Sequence, residues 1–138
     1  DLTREALDGD LAGATVAVLG VSFKRGTDDT RNTPAVPIVE GLREGGANVR
    51  VTDSYVPAGE VEDLLGTAPT RLPEALAGAD AVVVVTDHEA YRSLAPETLR
   101  ERVGRDSFAV VDGRHVFAWD AFDGTAVTYR GVGRGVRE

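Results

Sequence analysis

The chain alternates short runs of β-branched and aliphatic residues with longer stretches whose apolar positions recur every three or four residues. "TVAVLGV" (15–21) reads as a first strand, and "PAVPIVEGLREGG" (34–46) as a helix with Ile38, Val39 and Leu42 along one face. Thr33 is suited to cap that helix and Pro34 to open it, while Gly45 and Gly46 close it. Pro37 lacks the amide an inner helical position would use, which blurs the start by about a turn. "NVRVTD" (48–53) is a second strand, with Val49 and Val51 alternating. A short helix over 71–78, a strand over 80–86, a helix over 95–104 and a strand over 107–113 follow. A fifth strand lies within "TAVTYRGVG" (125–133). The opening "TREALDGDLAG" is helical in pattern and reads as the continuation of something upstream.

Strands that alternate with helices pair in parallel through crossovers, so the predicted class is α/β. The expected architecture is a three-layer Rossmann-like domain with a mainly parallel sheet of about five strands. Ligands of such sheets collect beyond the carboxyl ends of the strands. Three polar clusters fall there: "SFKRGTDDTR" after the first strand, "TDHEAY" after the third and "DGRH" after the fourth.

Composition narrows the class. With 138 residues and 42% apolar content the chain suits one globular domain. No apolar run approaches the length of a membrane span, and "ADAVVVVT" suits a strand buried on both faces. A formal charge of −8 argues against nucleic-acid binding through a basic surface. Without cysteine there is no disulfide framework, thiolate metal site or thiol nucleophile. No signal peptide is visible, so cytoplasmic residence is the default; the missing initiator Met suggests a fragment or processed form. The acidic, lysine-poor surface fits adaptation to high salt or a GC-rich genome, and says nothing of chemistry.

Lys24 is the single lysine among fourteen arginines. Its ammonium is a compact charge with three donors, suited to bridging phosphate oxygens, whereas the Arg31 guanidinium is a planar fork suited to a second anion. Phe23 either stacks on a base or closes the core. Asp28 and Asp29 either orient those cations or cap the helix that follows. The segment is longer than a βα connection requires, and long ordered loops tend to be functional, but a solvated charged loop fits the same residues. Arg114 follows a strand end and a glycine, which directs it to the same crevice or along the sheet edge.

The dinucleotide fingerprint G-x-G-x-x-G is absent after the first strand, where Val21 and Ser22 follow Gly20. In "GVGRGV", Val136 replaces the third glycine, and the segment reads as strand end and tail. Asp53 sits where a ribose-binding acid would, yet without the glycine loop a turn or capping role is favoured. His88 and His115 lack metal-ligand spacing and no nucleophile partners either; His88 is expected to begin or pack the helix after the third strand.

"LGVSFKRGTDDTRNTPA", "GGANVRVTD", "ADAVVVVTDHEAY" and "VVDGRHVF", in this order, resemble the C-terminal, UDP-binding domain of the UDP-glucose/GDP-mannose dehydrogenase family over residues 14–117. The tail beyond about Phe122 is not diagnostic. The resemblance implies that residues 1–138 form one nucleotide-sugar-binding domain of a larger enzyme, with 1–13 left from the upstream linking helix. It implies an NAD-dependent oxidation of a sugar C6 alcohol to a carboxylate, through a thioester on a cysteine outside this chain, which alone would be inactive. The main NAD domain and a dimer-forming helical domain would likewise lie elsewhere in the polypeptide. By the same resemblance Phe23, Lys24 and Arg114 contact the UDP-sugar, and Arg31 reaches the NAD pyrophosphate. Neither a catalytic residue nor a metal is expected here. Asn32 departs from the glutamate frequent in the family, and Pro37 from its usual helical run.

Two other readings fit parts of the pattern. One is a stand-alone nucleotide-sugar binding module. The other is a phosphoacceptor receiver domain with Asp28 and Asp29 as its acidic pair and Asp87 as acceptor, although its late lysine is missing.

Overall fold

The computed structural model describes residues 11–22, 30, 33–118 and 120–131, together with the backbone of 135–137. A six-stranded sheet organises them, with strands β1 (Thr15–Leu19), β2 (Asn48–Thr52), β3 (Ala81–Val84), β4 (Ala109–Asp112), β5 (Thr128–Gly131) and β6 (Gly135–Arg137). Their order is β2-β1-β3-β4-β5-β6. The first five pair in parallel, in the register Leu19 with Thr52 and Val84, and Val84 with Asp112. β6 runs antiparallel to β5. "GVGRGV" is therefore not a tail after one strand: its final residues return as an edge strand.

Side chains alternate across the strands, and this divides the interior in two. Val16 and Val18 of β1 join Val39, Leu42, Val51, Val61 and Leu65 on one face. Ala17 and Leu19 join Leu76, Tyr91, Leu99, Val103, Val110 and Tyr129 on the other. Two cores separated by one sheet make the three layers the alternation predicted. Both faces of β3 are enclosed, which explains why its residues are apolar throughout.

Helix α1 (Ala35–Glu44) buries Ala35, Val39 and Leu42, one side of two turns. Its N-cap is Pro34, one residue later than expected, and the Thr33 hydroxyl accepts from the Ala35 N–H at 3.2 Å. Pro37 falls in the first turn, where a backbone N–H has no intrahelical partner, so its missing donor costs nothing. Helix α2 (Ala58–Leu65) was not foreseen; Val61 and Leu65, four apart, are its buried residues, and Gly66 in the left-handed region ends it. α3 (Leu72–Leu76), α4 (Glu89–Arg92) and α5 (Pro96–Val103) cover the second core. His88 is the N-cap residue of α4, as the sequence suggested. Among the described residues no helix is long and apolar enough to cross a membrane. The helical reading of residues 3–13 falls largely outside the described residues; Leu11, within them, packs into the first core.

Candidate functional site

Chain direction reverses at β1. From there the chain moves outward to β2, then crosses back to β3 and continues the other way. The connections after β1 and β3 consequently lead to helices on opposite faces, which makes those strand tips the switch point, the place where sheets of this kind form their ligand crevice. Hydrogen bonding continues a residue or two beyond the strands: Gly20 N–H donates to Thr52 O at 2.8 Å, Val85 N–H to Leu19 O at 2.9 Å, and Gly113 N–H to Val84 O at 3.0 Å.

The β1 and β3 tips approach so closely that Gly20, at φ +101°, has no room for a side chain. A Cβ there would stand 2.5 Å from the Thr86 side chain and 2.7 Å from its backbone N. The single glycine retained from the missing fingerprint thus serves strand approach rather than a pyrophosphate cradle.

Asp53, just past β2, is the hub of the crevice floor. One carboxylate oxygen accepts from Val21 N–H at 2.7 Å, Ser22 N–H at 3.2 Å and His88 Nε2 at 3.0 Å. The other accepts from Tyr55 N–H at 2.7 Å and Val56 N–H at 2.9 Å. Burial pulls the Asp53 carboxyl upward, but the backbone donors of Val21, Val56, Tyr55 and Ser22 outweigh it and hold it below the usual carboxylate range. Asp53 therefore turns the chain after β2, as expected, and also ties β1 to β2. Five donors saturate its oxygens, so it is not available to ribose hydroxyls.

His88 and the Asp53 side chain are fully enclosed. A carboxylate 3.0 Å from Nε2 requires that nitrogen to carry hydrogen, since two lone pairs would repel. The Ser22 hydroxyl lies 3.0 Å from the same nitrogen. No nucleophile was expected beside either histidine, yet Ser22 is adjacent to His88, supplied from the connection beyond β1. The arrangement is still not a catalytic triad, because acid and hydroxyl share one nitrogen instead of occupying opposite ends of the ring. Tyr55 packs its ring 4.5 Å from His88 and remains 46% exposed. Tyr91 donates to Thr52 O at 3.1 Å, and burial together with the Asp53 charge pushes its hydroxyl well above the usual range.

Asp112 organises the "DGRH" turn in a parallel way. Fully buried, it accepts from Arg114 N–H at 3.2 Å, Val116 N–H at 2.9 Å, Phe117 N–H at 2.8 Å and the Tyr129 hydroxyl at 2.8 Å. This brings the half-buried Arg114 over the β3 tip, where its Nε donates to Val85 O at 3.1 Å. Of the site residues expected from sequence, Arg114 is the one among the described residues, and it lies over the β3 tip. Phe23, Lys24, Arg31 and the Asp28–Asp29 pair lie outside the described residues. Sequence reasoning missed the supporting roles of Asp112, Ser22 and Tyr55. The signal available for Asp112 was an aspartate at the end of a predicted strand, in "VVD" as in "VTD", each followed by a turn.

The strand order and its switch point define a doubly wound α/β domain. The chain belongs to the UDP-glucose/GDP-mannose dehydrogenase family: the profile of that family's UDP binding domain matches residues 17–119. It is 36% identical over 122 residues to the UDP-N-acetyl-D-mannosamine dehydrogenase of Pyrococcus horikoshii, covering 88% of this chain and 26% of that protein. It is 37% identical over 123 residues to a UDP-glucose 6-dehydrogenase of Haloferax volcanii, covering 84% of this chain and 26% of that protein. Among solved structures, the NDP-N-acetyl-D-galactosaminuronic acid dehydrogenase of Methanosarcina mazei Go1 superposes with a TM-score of 0.84 at 34% identity. That superposition covers 96% of this chain and 27% of the other. The chain therefore spans about a quarter of the length of these relatives. Receiver domains share the strand order 2-1-3-4-5, so order alone does not separate the two readings; the family match does, and Asp87 serves as an acceptor for Arg92 at 3.4 Å.

Proposed function

We propose that this chain is the nucleotide-sugar-binding domain of an NAD-dependent nucleotide-sugar 6-dehydrogenase that oxidises a sugar C6 alcohol to the carboxylate. The observation that carries the reading is the family match across residues 17–119, which includes both the "SFK" segment after β1 and the "DGR" turn after β4. Phe23 and Lys24 contact the nucleotide-sugar, and Arg114 approaches it from the neighbouring strand tip. In support, Arg114 Nε is engaged by Val85 O, which fixes the base of the guanidinium at the crevice.

A dinucleotide cradle does not fit this chain. The glycine fingerprint is missing, and both oxygens of Asp53 are taken by protein donors. NAD is held mainly by another domain of the same polypeptide, with Arg31 as this domain's contribution to its pyrophosphate. The catalytic cysteine also belongs elsewhere, since the chain has none.

The domain's contribution to rate is positional. Binding energy from the nucleotide end, remote from C6, holds the sugar in place for reaction, and a crevice closed between domains excludes water. The full-length polypeptide, supplied with NAD, is expected to form NADH with at least one of UDP-glucose, UDP-N-acetylmannosamine or a related UDP-sugar. Lys24→Ala is expected to weaken UDP-sugar binding by about 1.5–3 kcal/mol, the range of a charge-assisted contact. Unaltered kinetics in that variant, or no NADH with any nucleotide sugar, would refute the reading.

A further inference from the structure

The turn that carries Arg114 is held from three directions. From within, Asp112 draws it closed: one carboxyl oxygen accepts from Arg114 N–H at 3.2 Å and Val116 N–H at 2.9 Å, the other from Phe117 N–H at 2.8 Å. From β5, the buried Tyr129 hydroxyl donates to that second oxygen at 2.8 Å. From β3, Val84 O accepts from Gly113 N–H at 3.0 Å, and Val85 O accepts from Arg114 Nε at 3.1 Å. The approach to β3 excludes a side chain at position 113, where a Cβ would stand 2.7 Å from Val84 O. His115, next to Arg114, has φ +55°, a left-handed conformation that a non-glycine residue keeps only where its surroundings impose it. Anchored at both its main-chain N–H and its Nε, Arg114 reaches from β4 toward the switch point between β1 and β3.

We propose that Asp112, Gly113 and Tyr129 are positioning residues for Arg114: they hold its turn against β3 and so set where its guanidinium meets the nucleotide. An arginine side chain in solvent gives up much rotamer freedom when it grips an anion. Here the turn and the Val85 carbonyl have already removed part of that freedom, which raises affinity without any new ligand contact. With Nε committed to Val85 O, the protein also sets the plane of the guanidinium, and hence the direction in which it can bond an oxyanion. Burial of Asp112 is costly unless its oxygens are satisfied, and three of the four donors that satisfy them belong to this one turn. The inference rests on the nucleotide-binding reading of Arg114 given above.

The test uses the full-length polypeptide and UDP as the probe. Affinity is taken from titration calorimetry well below the melting point, where a loss of stability alone leaves it unchanged. Tyr129→Phe removes one oxygen, keeps the ring, and is expected to weaken UDP about fivefold. Gly113→Ala sets a methyl against Val84 O and, by lifting the turn from β3, is expected to weaken UDP about tenfold. In an Arg114→Ala background each change is expected to matter less than about twofold, because the contact it positions is already gone. Should Gly113→Ala not fold, Tyr129→Phe still decides the matter. A Tyr129→Phe affinity equal to wild type, or losses that simply multiply with Arg114→Ala, would overturn the positioning role while leaving the nucleotide reading intact. Absence of UDP binding by the wild type, or identical binding by Arg114→Ala, would overturn both.

Discussion

Replacing Gly20 by alanine tests the tight crossing of β1 and β3 directly. At φ +101° an L-residue is strained, by about 1–3 kcal/mol. The added methyl also meets Thr86 at 2.5 Å on its side chain and 2.7 Å on its backbone N. Thr86 cannot rotate away from a clash with its own Cβ and main chain, so the strand tips must part. Overpacking of this kind costs about 1–3 kcal/mol more. The sum, roughly 2–6 kcal/mol, is a large share of the 5–15 kcal/mol that holds a typical domain together. Scaled by unfolding entropy per residue, a chain of this length loses about 3–4 °C of melting temperature per kcal/mol. Thermal unfolding followed by circular dichroism should therefore show a fall of roughly 6–24 °C. Gly13→Ala is the internal control, because Gly13 has φ +76° but a methyl added there would meet nothing within 4 Å. It carries backbone strain without collision, and its loss should be clearly smaller. Equal losses for the two variants, or a Gly20→Ala melting point within about 2 °C of wild type, would refute the steric argument.

Removing the Tyr129 hydroxyl by Tyr129→Phe takes one donor from the buried Asp112 carboxyl, a contact of 2.8 Å. Denaturant unfolding should register a loss of about 1–3 kcal/mol, and a change under about 0.5 kcal/mol would contradict the role given to that bond. The depressed Asp53 carboxyl predicts a definite pH dependence. Its folded value lies below its unfolded one, so the stabilisation is complete above the unfolded value of about 4 and is lost as pH falls through the folded one. Stability measured on the acid side should accordingly fall less steeply in Asp53→Asn than in wild type; parallel acid limbs would count against it.

β1, β3 and β4 were legible because each carries consecutive apolar residues bounded by turn-formers, β3, enclosed on both sides, most plainly, and β2 was legible from its alternation. α2 was not, because "PAGEVEDLLG" offers only three large apolar residues, Val61, Leu64 and Leu65, amid acids and after a proline. The returning β6 was also hidden: a glycine-rich segment carries little strand signal, and its pairing with β5 is set by the sheet edge. Beyond β4, the strand end and glycine before Arg114 foreshadowed its position over the β3 tip. The Asp53–His88–Ser22 cluster was not legible, because its members are 31, 35 and 66 residues apart and meet only once the sheet order is fixed.

Asp53 holds the strand tips through main-chain N–H groups, at Val21, Ser22, Tyr55 and Val56. An anchor of that kind is blind to side-chain identity. The exposed ring of Tyr55 can be exchanged for almost any residue with an amide hydrogen, proline excepted, and the joint beneath it keeps its donor. The surface at position 55 can thus be changed while the main-chain bond beneath it stays in place.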